Sequence, residues 1–430
     1  MGIKLVVVGA ASSYTPELFA DLAAARERLT VDQVILVDLN EDKLAFIGGV
    51  CQRLIDTERL KTKLFTTTDL QSALPGTDFV LAQIRVGGLA ARVRDETLPM
   101  EFDMVGNETT GAGGFVCAMR TVPVMLDVAR KVERLAPKAW ILNMSNPAGI
   151  VTEAILKHTG AKALGFCNIP INTQYHLAEI LKVEPERVQL DSFGLNHLSW
   201  VRHVLVDGQD ALQPLIDQVT DHTSILYQEG VVEDHLALDL LRAVRMIPSW
   251  YVRYFYYPEI VLEEDRKIDH TKGVSDMQAE EELRAIYTSE GYNTRAQQIL
   301  ADKGGAQYYL PVLQAVESIT YDRGDLIVVD TLNQNALPDL PPGVCVEVPS
   351  RVFRDRVKPL DAGSMPSTVR GLVQTVKAYE ELTIEAATTG SLQKAIVALM
   401  ANPLVGTFPR AWGFLQRVIA NEREYINLTS

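Results

Sequence analysis

The stretch Ile3–Leu18, "IKLVVVGAASSYTPEL", decides the fold. An unbroken apolar run ending at Gly9 reads as a strand buried on both faces of a parallel sheet. Pro16 suits the first turn of the following helix, because the N–H it lacks is one that a helix start leaves unbonded anyway. The unit then repeats. "QVILVDLN" is a second strand ending at Asp38, and "DKLAFIGGVCQRLID" is a second helix. "KLFTTTD", "TDFVLAQIRVGG", "KAWILNMSNP" and "AKALGFCNIP" are further strands, each running into a polar turn. Strand–helix alternation implies a parallel sheet covered by helices on both faces. Ligands of such sheets bind beyond the carboxyl ends of the strands. Polar residues gather there: Ser12, Ser13, Asp38, Asp69, Arg85, Asn143, Asn146 and Cys167.

The second half changes character. From about Gln209 to Ala301 charged, mostly helical sequence dominates. "GDLIVVDTLNQNALPDLPPGVCVEVPSRV" then returns to strand and Pro-rich turn, and "SLQKAIVALMANPLVG" and "AWGFLQRVIANEREYI" are amphipathic helices. The expected fold class is α/β: an N-terminal Rossmann-like doubly wound parallel sheet over residues 1–165, interlocked with an α+β domain over 166–430 that holds substrate and metal.

With 41 Lys and Arg against 55 Asp and Glu, the chain carries a formal charge of −14. Nucleic acid is held mostly by cationic faces, so it is not the expected partner. An anionic small molecule needs only a local Arg cluster. Cys51, Cys117, Cys167 and Cys345 are scattered and suggest no disulfide framework, so a reducing cytoplasm is expected. No secretion signal precedes the first strand, and no apolar run is expected to span a bilayer.

The first turn matches a dinucleotide turn only at Gly9, with Ala10 and Ala11 where a looser fit is expected. Ser12 and Ser13 could give donors to phosphate at the helix start, and Asp38 is placed for ribose hydroxyls, favouring NAD over NADP. A plain strand–turn–helix would read the same way. Cys167, in "GFCNIP", and His197, in "GLNHLSW", could together hold Mn²⁺, Fe²⁺, Co²⁺ or Ni²⁺ with open positions left over. They could equally be a small buried residue and a structural imidazole. "IPSWYVRYFYYPE" carries a tyrosine cluster that is either packing or a base whose phenolate a cation stabilises. Arg85, Arg92 and Arg94 form either a solvated face or an anion clamp. "GNETTGAGGF" is either a loop that closes over a cofactor or a flexible turn.

Taken together, "GAASSYTPEL", "IRVGGLAARVRDE", "GNETTGAGGF", "NMSNPAGI", "GFCNIP", "GLNHLSW" and "PSWYVRYFYYP" resemble family 4 of the glycoside hydrolases. The resemblance covers most of the chain, most densely from Gly2 to about Pro258. It implies glycoside cleavage outside the two-carboxylate scheme. NAD takes a hydride from C3 of the sugar, a tyrosine matching Tyr251 removes the C2 proton, the leaving group departs, water adds, and the hydride returns. The match puts Tyr251 rather than Tyr254 in this role. It puts Mn²⁺ or another dication on Cys167 and His197, and NAD against Gly9, Ser12, Ser13, Asp38, Asp69 and Arg85. Substrate falls to Arg92, Asn146, Asn168 and Lys272, although Lys272 stands near a family arginine with shifted spacing. Members acting on α-glycosides carry an acid where this chain has Asn168, so the implied substrate is a 6-phospho-β-glucoside, either a phosphorylated disaccharide or an aryl β-glucoside 6-phosphate. Another sugar within the family stays open. The resemblance also implies a homodimer or homotetramer. Two other readings compete: an NAD-dependent hydroxy-acid dehydrogenase, which needs a histidine with an acid partner, and a non-catalytic nucleotide sensor, which needs no metal ligands.

Overall fold

The computed structural model describes residues 2–217 and 235–429. Part of the helical stretch expected from Gln209 to Ala301 therefore lies outside the described residues. Six strands form the parallel core: β1 (Ile3–Val8), β2 (Val31–Val37), β3 (Lys63–Thr67), β4 (Phe79–Ala82), β5 (Trp140–Asn143) and β6 (Lys162–Gly165). β7 (Val188–Leu195), β8 (Leu198–Val206), β9 (Gln209–Asp210) and β10 (Ile247–Pro248) make a small antiparallel sheet. β11 (Asp325–Leu332), β12 (Cys345–Val352) and β13 (Val357–Pro359) continue the large sheet, whose order is β13-β12-β11-β6-β5-β4-β1-β2-β3. The order 3-2-1-4-5-6 at its parallel end is the doubly wound order of dinucleotide-binding folds. β11 pairs antiparallel with β6, so the sheet runs on past residue 165 into the second half of the chain.

The period-two alternation of these strands explains the layers. Leu5, Val7, Leu36, Leu81, Leu142 and Leu164 face one core. There they meet α1 (Thr15–Ala24), α2 (Glu41–Glu58) and the helix Leu310–Tyr321. Val6, Val8, Val37, Val80, Ile141 and Ala163 face the other. The elements between are α3 (Leu70–Ala73), α4 (Gly88–Thr97), α5 (Gly111–Leu135), α6 (Ala148–His158) and α7 (Ile169–Leu181). α5, α6 and the helix Ser367–Thr389 cover the second face. Each fully buried Val or Leu contributes roughly 1.5–3 kcal/mol, so strands apolar on both faces cannot sit at a surface. β3, at the sheet edge, is the strand with mostly exposed residues.

By length and composition α5 could cross a membrane, but 83% of its apolar window is buried inside the fold. It is the core helix, and "GNETTGAGGF" is its start rather than a free loop. A β-carbon on Gly113 would lie 2.1 Å from the Asn107 carbonyl oxygen and 2.3 Å from that of Asp95. These glycines seat the helix tightly under the segment that precedes it.

Asp330 on β11 and Glu347 on β12 are direct cross-strand partners, and both are buried. Glu347 accepts two hydrogen bonds, whereas neither oxygen of Asp330 has a partner among the described residues. The nearby Lys377 ammonium is already held by Glu153, at 2.7 Å, and by Glu380. Burial, then the Glu347 charge, push the Asp330 carboxyl well above its ordinary range. Burial pushes Glu347 up as well, to about 7, but its two donors favour its anion, so Asp330 is the member that keeps the proton. A raised folded pKa means stability present at low pH and lost as pH rises. Asp330→Asn should therefore match wild type near pH 4 and exceed it by about 1–3 kcal/mol at pH 8, read by chemical denaturation at both values. Parallel pH profiles for the two proteins would show that Asp330 is not a strained neutral acid.

Candidate active site

β1, β2, β4, β5 and β6 are parallel, so their carboxyl ends share one edge of the sheet, and most of the expected site residues follow those ends. Gly9 adopts φ 85°, and a β-carbon there would stand 2.7 Å from the Gln83 carbonyl oxygen, so the turn after β1 admits only glycine. Gln83 braces the turn from beneath, donating to Thr15 Oγ1 at 2.9 Å and accepting from the Tyr309 hydroxyl at 2.6 Å. Asp38 closes it from the side: Oδ2 accepts from the Ala11 N–H and Oδ1 from the Asn40 N–H, both at 3.0 Å. Ser12 Oγ accepts from the Tyr14 N–H, and the Ser13 carbonyl accepts from the Tyr287 hydroxyl. Leu39, next to Asp38, is 94% exposed and offers an apolar face at the end of β2. Asp69 caps α3 by accepting from the Gln71 N–H at 2.9 Å.

Sequence reading missed the cation at this turn. Lys303 donates to Ser13 Oγ at 3.2 Å, lies over the Tyr14 ring, and is almost fully buried. Burial pushes its pKa down. Its only sequence signal is a Gly-Gly pair following a lysine in "ADKGGAQYY".

The arginines are tied to acids that the sequence did not single out. Glu108 bridges Arg85 and Arg92, the latter at 3.2 Å. Arg92 also pairs with Glu96 at 2.8 Å and with Asp276 at 2.6 Å. Lys272, the first residue of the helix Lys272–Ser289, reaches Asp276 at 3.4 Å and the Asp302 carbonyl at 3.0 Å. Arg94 turns away to Glu422 at 2.6 Å. Asn146 precedes Pro147, at the start of α6, and its carbonyl accepts from the Cys117 thiol. Asn168 caps α7 without a side-chain bond to it; its amide donates instead to the carbonyls of Gly304, at 2.7 Å, and Ala306.

Cys167 and His197 both lie beside Tyr251. His197 is the second residue of the two-residue turn joining β7 to β8, with φ 63°, and its ring is buried. That ring stacks on Tyr251, centroids 3.7 Å apart and planes 3° from parallel. Tyr251 lies close enough to Cys167 for a thiolate there to raise the phenol's pKa. Tyr254 is buried within the cluster of Val105, Val261 and Leu404, and Tyr251 packs against that cluster from outside.

Hydrogen bonds fix the tautomer of His197. Asn107 Oδ1 accepts from the Thr109 and Thr110 N–H groups, so it is the oxygen. The Thr109 hydroxyl must then give its proton to that oxygen, 3.1 Å away. The Thr109 oxygen is thereby left to accept from His197 Nδ1–H at 2.9 Å. The Nε2 lone pair remains for a ligand. Burial pushes the imidazole down to about 3, so it stays neutral. Burial and the Glu347 charge push the Cys167 thiol well up, and the Ile169 N–H at 3.5 Å favours the thiolate. A neutral imidazole and a thiol in negative surroundings fit a cation, whose charge would favour the thiolate. Among the described residues no group of three or more His, Cys, Asp and Glu side chains forms a closed metal cage.

The chain matches the model of the family 4 glycosyl hydrolases over residues 4–183, and that of their C-terminal domain over 192–405. It belongs to family 4 of the glycosyl hydrolases. The probable 6-phospho-beta-glucosidase of Bacillus subtilis is 34% identical over 99% of this chain and 97% of its own. The 6-phospho-beta glucosidase of Thermotoga maritima, solved with manganese, NAD⁺ and glucose-6-phosphate, superposes with a TM-score of 0.89 at 28% identity, over 99% of this chain and 100% of that one. The phospho-alpha-glucosidase PagL of Clostridium acetobutylicum is 28% identical over 99% of this chain and 98% of its own. This family 4 chain is thus a glycosidase whose sheet is built like that of a dehydrogenase.

The buried His197 has a measurable consequence. Its folded pKa is depressed, so its stabilising contribution is complete above the unfolded value and is lost as pH falls. With an unfolded pKa near 6.5, chelator-treated wild type should lose about 2 kcal/mol more than His197→Gln on going from pH 7 to pH 5, measured by denaturant titration. Equal losses would mean that the imidazole titrates freely in the folded protein.

Proposed function

We propose that this family 4 glycosidase hydrolyses 6-phospho-β-glucosides to glucose 6-phosphate and an aglycone, with NAD and a divalent cation such as Mn²⁺ as resident cofactors. One observation carries the reading: the His197 imidazole lies flat on Tyr251, and Cys167 lies close enough to that phenol to act on its charge. A thiol, an imidazole and a phenol therefore share one corner of the dinucleotide-type cleft. When bound, NAD supplies a hydride acceptor and donor for C3 of the sugar, and the dication supplies a Lewis acid for the oxygen that is oxidised.

The chain's own residues would divide the remaining work. Cys167 and His197 Nε2 would hold the cation. Gly9, Ser12, Ser13 and Asp38 would line the dinucleotide, with Leu39 against its adenine end and Lys303 supplying positive charge at the turn; Asp69 and Arg85 border the same cleft. Arg92, Asn146 and Lys272 would hold the phosphorylated sugar, with Arg92 kept in place by Glu96, Glu108 and Asp276. Tyr251 would take the C2 proton. Burial pushes its phenol up to about 12, while the Arg92 charge pulls it down. A cation held by the neighbouring imidazole and thiolate would favour the phenolate further. Proton loss from C2 lets the C1 leaving group depart, water then adds, and the hydride returns to C3, so no net NADH accumulates.

Asn168 favours the β-glycoside. Its amide has no proton to give as an acid and is engaged by two carbonyls. A hydroxy-acid dehydrogenase is disfavoured, because His197 Nδ1 meets a hydroxyl rather than a carboxylate. The free thiols of all four cysteines suit a cytoplasmic enzyme, and we place it there as a homodimer or homotetramer.

A chromogenic 6-phospho-β-glucoside should be turned over only with NAD and Mn²⁺ present; full activity in excess chelator would remove the metal from the scheme. In D₂O the glucose 6-phosphate should carry deuterium at C2, and product without it would eliminate proton abstraction. Tyr251→Phe should lower kcat at least about 100-fold, the scale of a lost general base, while still binding glucose 6-phosphate. Thr109→Val, which removes the acceptor for His197 Nδ1–H, should weaken Mn²⁺ about 10–100-fold, read by metal titration.

A further inference from the structure

The turn carrying His197 is fastened from a strand that neither the sequence motifs nor the proposed chemistry uses. Glu347 lies on β12 and is buried. Its Oε2 accepts from Asn196 Nδ2 at 3.0 Å, and its Oε1 accepts from Ser199 Oγ at 2.9 Å. Asn196 and Ser199 stand on either side of His197 in the chain. One carboxylate thus grips both flanks of one candidate ligand, and it lies near enough to Cys167 for its charge to act on the thiol.

The turn needs that grip. His197 sits at φ 63°, a left-handed conformation that costs a residue with a β-carbon about 1–2 kcal/mol. Such a conformation persists only where the surroundings over-determine it. Thr109 and Tyr251 hold the ring itself, while Glu347 adds to the strand pairing a hydrogen bond to a side chain on each side of it. A carboxylate is the one side chain of this size with acceptors at both ends; glutamine would turn an N–H toward one of the two donors.

We propose that Glu347 is the positioning residue that preorganises the Cys167–His197 pair for a divalent cation. The proposal rests on the metal-dependent reading above, so the test separates the two. Chelator-treated holoenzyme lacking only the metal is titrated with Co²⁺, whose sulfur-to-cobalt charge-transfer band reports Cys167, and with Mn²⁺ alone. NAD affinity is measured in parallel. Cys167→Ser should abolish the band. Glu347→Gln should weaken Mn²⁺ about 10–100-fold and shift or weaken the band, while NAD affinity changes less than about twofold. Ser199→Ala, which removes one donor and little volume, should move both metal readouts the same way by less, and decides the matter if Glu347→Gln does not fold. If Cys167→Ser leaves the band and Mn²⁺ affinity untouched, the metal-dependent reading fails first. If Cys167→Ser abolishes them but Glu347→Gln and Ser199→Ala bind metal as wild type does, the role of Glu347 alone is overturned. Equal losses of Mn²⁺ and NAD in Glu347→Gln would make it general scaffolding and also overturn the proposal.

Discussion

A two-residue turn between β7 and β8 holds an imidazole at a backbone angle that the chain would not choose alone. Three separate segments converge to keep it there. The segment before α5 provides Thr109, the Trp250–Val252 turn provides the Tyr251 ring, and β12 provides Glu347. Each contact is modest in isolation, since a net hydrogen bond contributes about 0.5–1.5 kcal/mol. Their convergence is what fixes tautomer, orientation and protonation state at once.

The antiparallel extension of the sheet gives this arrangement its foundation. β11 and β12 add to the edge of a six-stranded parallel core and bring acids up beside the turn after β6. Gly165 is part of the same row: a β-carbon there would lie 2.8 Å from Asp330 Oδ2. Two carboxylates face each other across β11 and β12, which a core built only for stability would avoid. Each oxygen of one accepts from the turn that carries His197, while neither oxygen of the other has a partner among the described residues. The cost falls on Asp330 and the benefit on the Cys167–His197 corner.

The basic residues follow a similar logic on a chain with a net charge of −14. Arg85, Arg92, Lys272 and Lys303 converge near the cleft, and each is held by an acid or a hydroxyl. Held this way, a guanidinium is oriented before a phosphate arrives, and little side-chain entropy remains to be lost on binding. The cleft can therefore favour a phosphorylated sugar although the surface as a whole repels anions.

The doubly wound sheet, the glycine at the first turn, the second-strand aspartate and the polar residues at strand ends were all legible in the sequence. They rest on local rules: side-chain alternation, helix starts and glycine's access to positive φ. That Cys167, His197 and Tyr251 belong together was suggested by a family resemblance, not by a spacing. Glu108, Thr109, Lys303 and Glu347 were not legible, and neither was the rigid seat formed by "GNETTGAGGF". Glu347 lies 151 residues from its partner Asn196, and Lys303 lies 290 from Ser13. No periodicity links residues that far apart. Only folding, by adding antiparallel strands to a parallel edge and laying the Lys303 segment over the first turn, brings them within hydrogen-bonding distance.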